Sequence, residues 1–116
     1  MKTAFFVAVG ACLSGQVMGT IAIGRIEGFN GKTYSAAWLD NLNGNNLCNG
    51  NSGAPATWGP GCGTKFKLSN NHEYTLKGCG GNLYIENGDG SYNSPCRPAS
   101  DNINGYCGIH REYICY

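Results

Sequence analysis

Between Lys65 and Lys77 apolar and polar side chains alternate: Phe66 and Leu68 with Lys65 and Lys67, then Tyr74 and Leu76 with Glu73, Thr75 and Lys77. A period of two describes a strand buried on one face, and two such runs around Asn70-Asn71 predict a β-hairpin. A three-residue loop, Asn70 to His72, sets Leu68 opposite Tyr74 and Phe66 opposite Leu76 and makes one face wholly apolar. Lys65, Lys67 and Lys77 share the other face with Glu73 and Thr75, a local cluster of positive charge. Extending the alternation outward directs Cys62 and Cys79 to opposite faces, so a bond between them is not expected.

The cysteines limit the rest of the fold. Of seven in the chain, Cys12 lies in a leader-like stretch: Lys2, then the apolar run Ala4 to Leu13, then compact residues at Val17-Met18-Gly19. This is the pattern of a secretory signal over residues 1–19, and the apolar run is too short to span a bilayer. The expectation is a secreted, extracellular protein in which residues 20–116 form a single cysteine-rich domain. Six cysteines then remain, Cys48, Cys62, Cys79, Cys96, Cys107 and Cys115, and an oxidising compartment makes them three disulfides whose pairing the spacing does not resolve. No Cys-x2-Cys pair is present and the histidines are His72 and His110 alone, so neither metal nor cofactor is expected.

Further strands are predicted at Ile21 to Ile26 and Tyr34 to Trp38, joined through Asn30-Gly31, at Asn82 to Glu86, and in the terminal Tyr106 to Tyr116. Asn41 to Gly61 and Tyr92 to Ile103, rich in Asn, Gly, Pro and Ser, read as loops. Without a helical pattern beyond two turns, the fold class is all-β: a small disulfide-stapled β-barrel or sandwich of short antiparallel strands. Trp38 falls on an alternating apolar face and belongs to the core, whereas Trp58, among prolines and glycines in the long loop, is the candidate for an exposed binding aromatic.

Chemistry is sparse. There is no nucleophile elbow, and neither histidine sits in a recognised catalytic arrangement. Asn87 to Ser91 places oxygen ligands at alternate positions but lacks the closing Glu of a calcium loop, and reads as a turn. The chain has eight Lys plus Arg against seven Asp plus Glu, and loss of Lys2 with the leader balances them. A neutral domain has no overall electrostatic drive toward nucleic acid or an anionic membrane. The expected protein is not an enzyme. It acts by contact, as a monomer or homodimer, through Trp58, Lys65, Lys67 and Lys77.

The leader, the compact six-cysteine domain and the abundance of Gly and Asn together resemble the small secreted cysteine-rich proteins of filamentous fungi, in particular their effectors and elicitors. That resemblance implies a compact disulfide-bonded β-fold that binds a host protein or a cell-wall glycan at a plant interface and modulates defence. Gly61-Cys62-Gly63-Thr64-Lys65-Phe66-Lys67-Leu68 is similar to the Cys-Gly-x-x strand of cerato-platanins and other double-psi barrels, which implies carbohydrate binding as an alternative. An antimicrobial or killer-toxin-like activity is the other.

Overall fold

The computed structural model describes residues 20–28, 30–41, 47–48, 55–101, 103 and 105–116; the leader-like segment lies outside them. The described chain forms eight strands: β1 (Ile21–Glu27), β2 (Thr33–Leu39), β3 (Ala56–Trp58), β4 (Lys65–Lys67), β5 (Glu73–Lys77), β6 (Tyr84–Asn87), β7 (Tyr92–Pro98) and β8 (Ile109–Cys115), the last preceded by a 3-10 turn at Tyr106–Gly108. All pairings are antiparallel, in the order β3-β2-β1-β8-β7-β6-β5-β4. The sheet curls until its two ends meet: Trp58 of β3 stacks on Phe66 of β4 with ring centroids 4.6 Å apart and planes 2° apart. The result is a nearly closed barrel, whose exposed edges are limited to two short strands.

Alternation fills the barrel. Ile21, Ile23, Ala37, Trp58, Phe66, Leu68, Tyr74, Leu76, Ile85 and Cys115 are buried together inside it. A second apolar cluster lies on the opposite face of β1, β2 and β8, where Ala22, Ala36, Trp38 and Ile109 are covered by Leu47 and Ile103. Cys48 packs against this cluster, and its disulfide to Cys107 fastens the covering segments to the sheet. One side of the barrel is therefore clothed by its connections. The outer face of β5, β6 and β7 carries no such second layer among the described residues.

The hairpin β4–β5 keeps the expected apolar face in a different register. Phe66 pairs with Tyr74 and Lys67 with Glu73, so the loop is Ser69 to Asn71, one residue earlier than expected, and the pairing slides by two. A slide of two preserves which face each side chain meets, and Phe66, Leu68, Tyr74 and Leu76 are all buried. The reason is local. The third loop position is left-handed, and Asn71 fills it at φ 67°, a conformation asparagine adopts more readily than His72 would. Asn70 then accepts the His72 N–H on its side-chain oxygen at 3.0 Å.

Three other expectations change. Cys62 and Cys79 are bonded to each other: Gly63 at φ 96° and Gly78 at φ 83° separate them from the strands, and alternation does not propagate through left-handed glycines. The remaining bridges are Cys48–Cys107 and Cys96–Cys115. Within Asn41 to Gly61, residues 56–58 form β3 rather than loop, and much of that segment lies outside the described residues. Tyr92 to Pro98 is strand β7. Pro95 fits there because both its carbonyl, which accepts the Tyr116 N–H at 3.2 Å, and the N–H it lacks face Tyr116 rather than β6, so one bond is lost at the end of the β7–β8 ladder and the pairing with β6 stays intact.

A candidate binding face on the outside of the barrel

On β5, β6 and β7 the residues that do not enter the core point outward. Leu76 and Ile85 pair inside, so their neighbours Lys77 and Tyr84 pair outside; Ile85 and Ser94 pair inside, so Tyr84 and Pro95 pair outside. Cys96 and Cys115 pair at the buried face, which turns Tyr116 outward beside Pro95. The register thus builds a row across four strands: Lys77, Tyr84, Pro95, Tyr116. Tyr92 stacks on Tyr84 with centroids 5.7 Å apart, and the Arg97 guanidinium lies 5.1 Å from the Tyr116 ring centre. Tyr92 is 61% exposed and Tyr116 55%, the two large hydrophobic side chains that stand in solvent among the described residues.

Trp58 is not part of a surface. It is 7% exposed, stacks on Phe66 and donates its indole N–H to the Gly61 carbonyl at 3.0 Å. The prolines and glycines that suggested an exposed loop instead let the chain leave β3 and return to β4. Lys65, Lys67 and Lys77 are on the outer face. Lys65 pairs with Thr75 and Lys67 with Glu73, and the Lys77 ammonium is 4.0 Å from the Glu86 carboxylate. Among the described residues Lys65, Lys67 and Arg97 make no ion pair with a carboxylate.

Two other polar groupings stand out. An open groove between the β4–β5 and β6–β7 turns is lined by Lys67, Asn71, His72, Glu73, Asn87 and Asp89. Its Asp89 is held below the ordinary carboxylate range by the Ser91 hydroxyl and then the Ser91 N–H. The second grouping is at the far end of β1 and β8, where His110 Nδ1 lies 2.6 Å from Asp101 Oδ2 and Nε2 lies 4.0 Å from Glu27. Arg25 joins Glu112 at 2.9 Å and Glu27 at 3.5 Å. Arg111, mostly buried, meets Asp40 at 2.9 Å and the Ser100 carbonyl at 2.7 and 3.0 Å. These contacts bind the segment after β7 to β8, and β8 to β1 and to Asp40 at the end of β2, which is a fastening role. Among the described residues no group of three or more His, Cys, Asp or Glu is placed to hold a metal ion.

Sequence reasoning located the lysines but not the aromatic row. Tyr84 was legible as outward-facing, because it alternates with Leu83 and Ile85. Tyr92 and Arg97 were hidden by Pro95 and Pro98, which break the strand pattern of β7. Compared with protein-family models, with curated proteins and with solved structures, the chain matches none.

Proposed function

We propose that this is a secreted, non-catalytic effector or elicitor that acts by binding a component of a plant host surface through the outer face of β5, β6 and β7. The observation that carries the reading is the row Lys77, Tyr84, Pro95, Tyr116 with its flanking Tyr92 and Arg97. Exposed tyrosines beside an arginine are the composition of binding hot spots rather than of an ordinary solvated sheet. Three disulfides are compatible with an extracellular protein, and they stiffen a sheet that then loses little entropy on binding.

Infiltration of purified protein into leaves, with cell death and oxidative burst as readouts, tests this. The wild type is expected to give a response, Tyr92→Ala with Tyr116→Ala to lose it, and His72→Ala to keep it. A full response from the double tyrosine variant, folded by circular dichroism, overturns the reading.

A further inference from the structure

The net neutrality of residues 20–116 conceals a division of charge. The outer faces of β4 to β7 carry Lys65, Lys67, Lys77 and Arg97 against Glu73 and Glu86, a surplus of positive side chains. Asp89, in the β6–β7 turn, borders that face beside Lys67; the remaining acid, Glu27, Asp40, Asp101 and Glu112 against Arg25, Lys32 and Arg111, belongs to β1, β2, β8 and their connections. Two of these cations, Lys77 and Arg97, flank the aromatic row, where the carboxylate is that of Glu86, 4.0 Å from Lys77 and on the residue paired with Tyr92. Along that row Lys77 stands at one end and Arg97, over Tyr116, at the other, with the Tyr84 and Tyr92 rings between.

The size of the row decides what it fits. Four strands at about 4.8 Å spacing span about 14 Å, and the five residue steps from Tyr92 to Arg97 span about 17 Å, giving a footprint of about 240 Å². Even doubled for the relief of the side chains, this is well short of the roughly 800 Å² that each partner buries in a standard protein–protein interface. It suits a narrow, extended ligand.

Resting on the proposed binding role of this face, we infer that its ligand is a carboxylate-bearing polysaccharide, a chain of uronic acid units. The apolar faces of sugar rings pack on the outward faces of Tyr92 and Tyr116, while Arg97 and Lys77 meet ring carboxylates on either side. Arginine supplies the planar fork that matches a carboxylate, and lysine a mobile point charge. A neutral glycan would use the rings and leave Arg97, which makes no ion pair with a carboxylate among the described residues, unmatched; a merely basic surface would not need the rings.

The test is direct binding, by calorimetry, of the full oxidised protein to polygalacturonate and to the same polymer fully methyl-esterified, which keeps the sugar and removes the charge. The wild type is expected to bind polygalacturonate, more weakly as salt rises, and to bind the ester at least about tenfold more weakly. Tyr92→Ala with Tyr116→Ala, and separately Lys77→Gln with Arg97→Gln, are each expected to weaken binding about tenfold or more. Failure of the wild type to bind, equal binding of the ester, or unchanged binding by the tyrosine variant overturns the assignment. Absent polygalacturonate binding with a leaf response still dependent on the two tyrosines rejects the ligand and leaves the binding role standing. Tyrosine-dependent binding with an unchanged leaf response does the reverse.

Discussion

Asn70 donates its side-chain amide to the Tyr74 hydroxyl at 3.0 Å while its own oxygen accepts the His72 N–H. One side chain thus closes the β4–β5 loop and satisfies the polar tip of a ring buried in the barrel. The same device recurs at the first hairpin. Asn30 accepts from Lys32 N–H at 3.0 Å and its amide lies 3.5 Å from the Tyr34 hydroxyl, with Gly31 left-handed as Asn71 is. The β6–β7 turn keeps the loop half of it: Asp89 accepts the Ser91 N–H at 2.9 Å beside a left-handed Gly90.

Asn70→Ala is therefore expected to destabilise the protein by about 1–3 kcal/mol, because it removes the loop bond and leaves the Tyr74 hydroxyl half-buried without that partner. Asn70→Asp keeps the bond to His72 N–H and should lose less. Urea unfolding of the three proteins checks the order, and a loss from Asn70→Ala no greater than that from Asn70→Asp would contradict the shared role.

Trp58 closes the barrel, so its substitution is a stability experiment rather than a binding one. Trp58→Ala is expected to cost about 3–5 kcal/mol through the cavity beside Phe66 and the lost ring stack. Trp58→Phe, which keeps an aromatic ring on Phe66 but drops the bond to Gly61, should cost distinctly less. Thermal unfolding separates these; a folded, fully stable Trp58→Ala would show that the β3–β4 seam does not hold the barrel shut.

The parts of the molecule legible in the sequence are those where alternation runs unbroken. Phe66, Leu68, Tyr74 and Leu76 declared their face, as did Ile21 and Ile23, and Asn30-Gly31 declared its turn. Register was harder, because slides by two leave every face unchanged and only the left-handed position of Asn71 distinguishes them. Cys62–Cys79 was illegible, since two glycines between the cysteines and the strands erase the direction that alternation would give. Pro95 concealed β7, and with it Tyr92 and Arg97, because a proline tolerated at one strand position looks the same in sequence as a proline that ends a strand.

Asp101 makes stability sensitive to acid. Burial raises its pKa, but N–H groups of Ile103 and Arg111 and the His110 ring more than offset this, and the carboxyl is held below its ordinary value. A depressed folded pKa means the stabilisation is fully present above the unfolded value, about 3.9, and is lost as pH falls through the folded one. Melting temperature should accordingly drop as pH is lowered from about 4.5 toward 3. Asp101→Asn should be less stable near neutrality, having lost the charge-assisted bond to His110, and should show a shallower acid limb. Parallel limbs for the two proteins would remove Asp101 from the account.

The three disulfides are not expected to count equally. In the chain-entropy description a bridge stabilises by restricting the unfolded chain, more so for a longer loop. Cys48–Cys107 spans 59 residues of sequence and Cys62–Cys79 spans 17, which correspond to about 4 and about 3 kcal/mol. Packing enlarges the difference. Cys48 lies against the second apolar cluster, and without its bridge Leu47 and Ile103 are no longer fastened over Ala22, Ala36 and Trp38. Cys62 and Cys79 by contrast join two chain segments that the β4–β5 ladder already holds together. Replacing Cys48 and Cys107 by alanine should therefore lower the unfolding free energy by at least about 1 kcal/mol more than replacing Cys62 and Cys79, and should expose apolar surface detectable by dye binding before global unfolding. If the Cys62–Cys79 pair proves the more costly to remove, the covering of β1, β2 and β8 is held by packing and by the Arg111 and Asp101 contacts rather than by its disulfide.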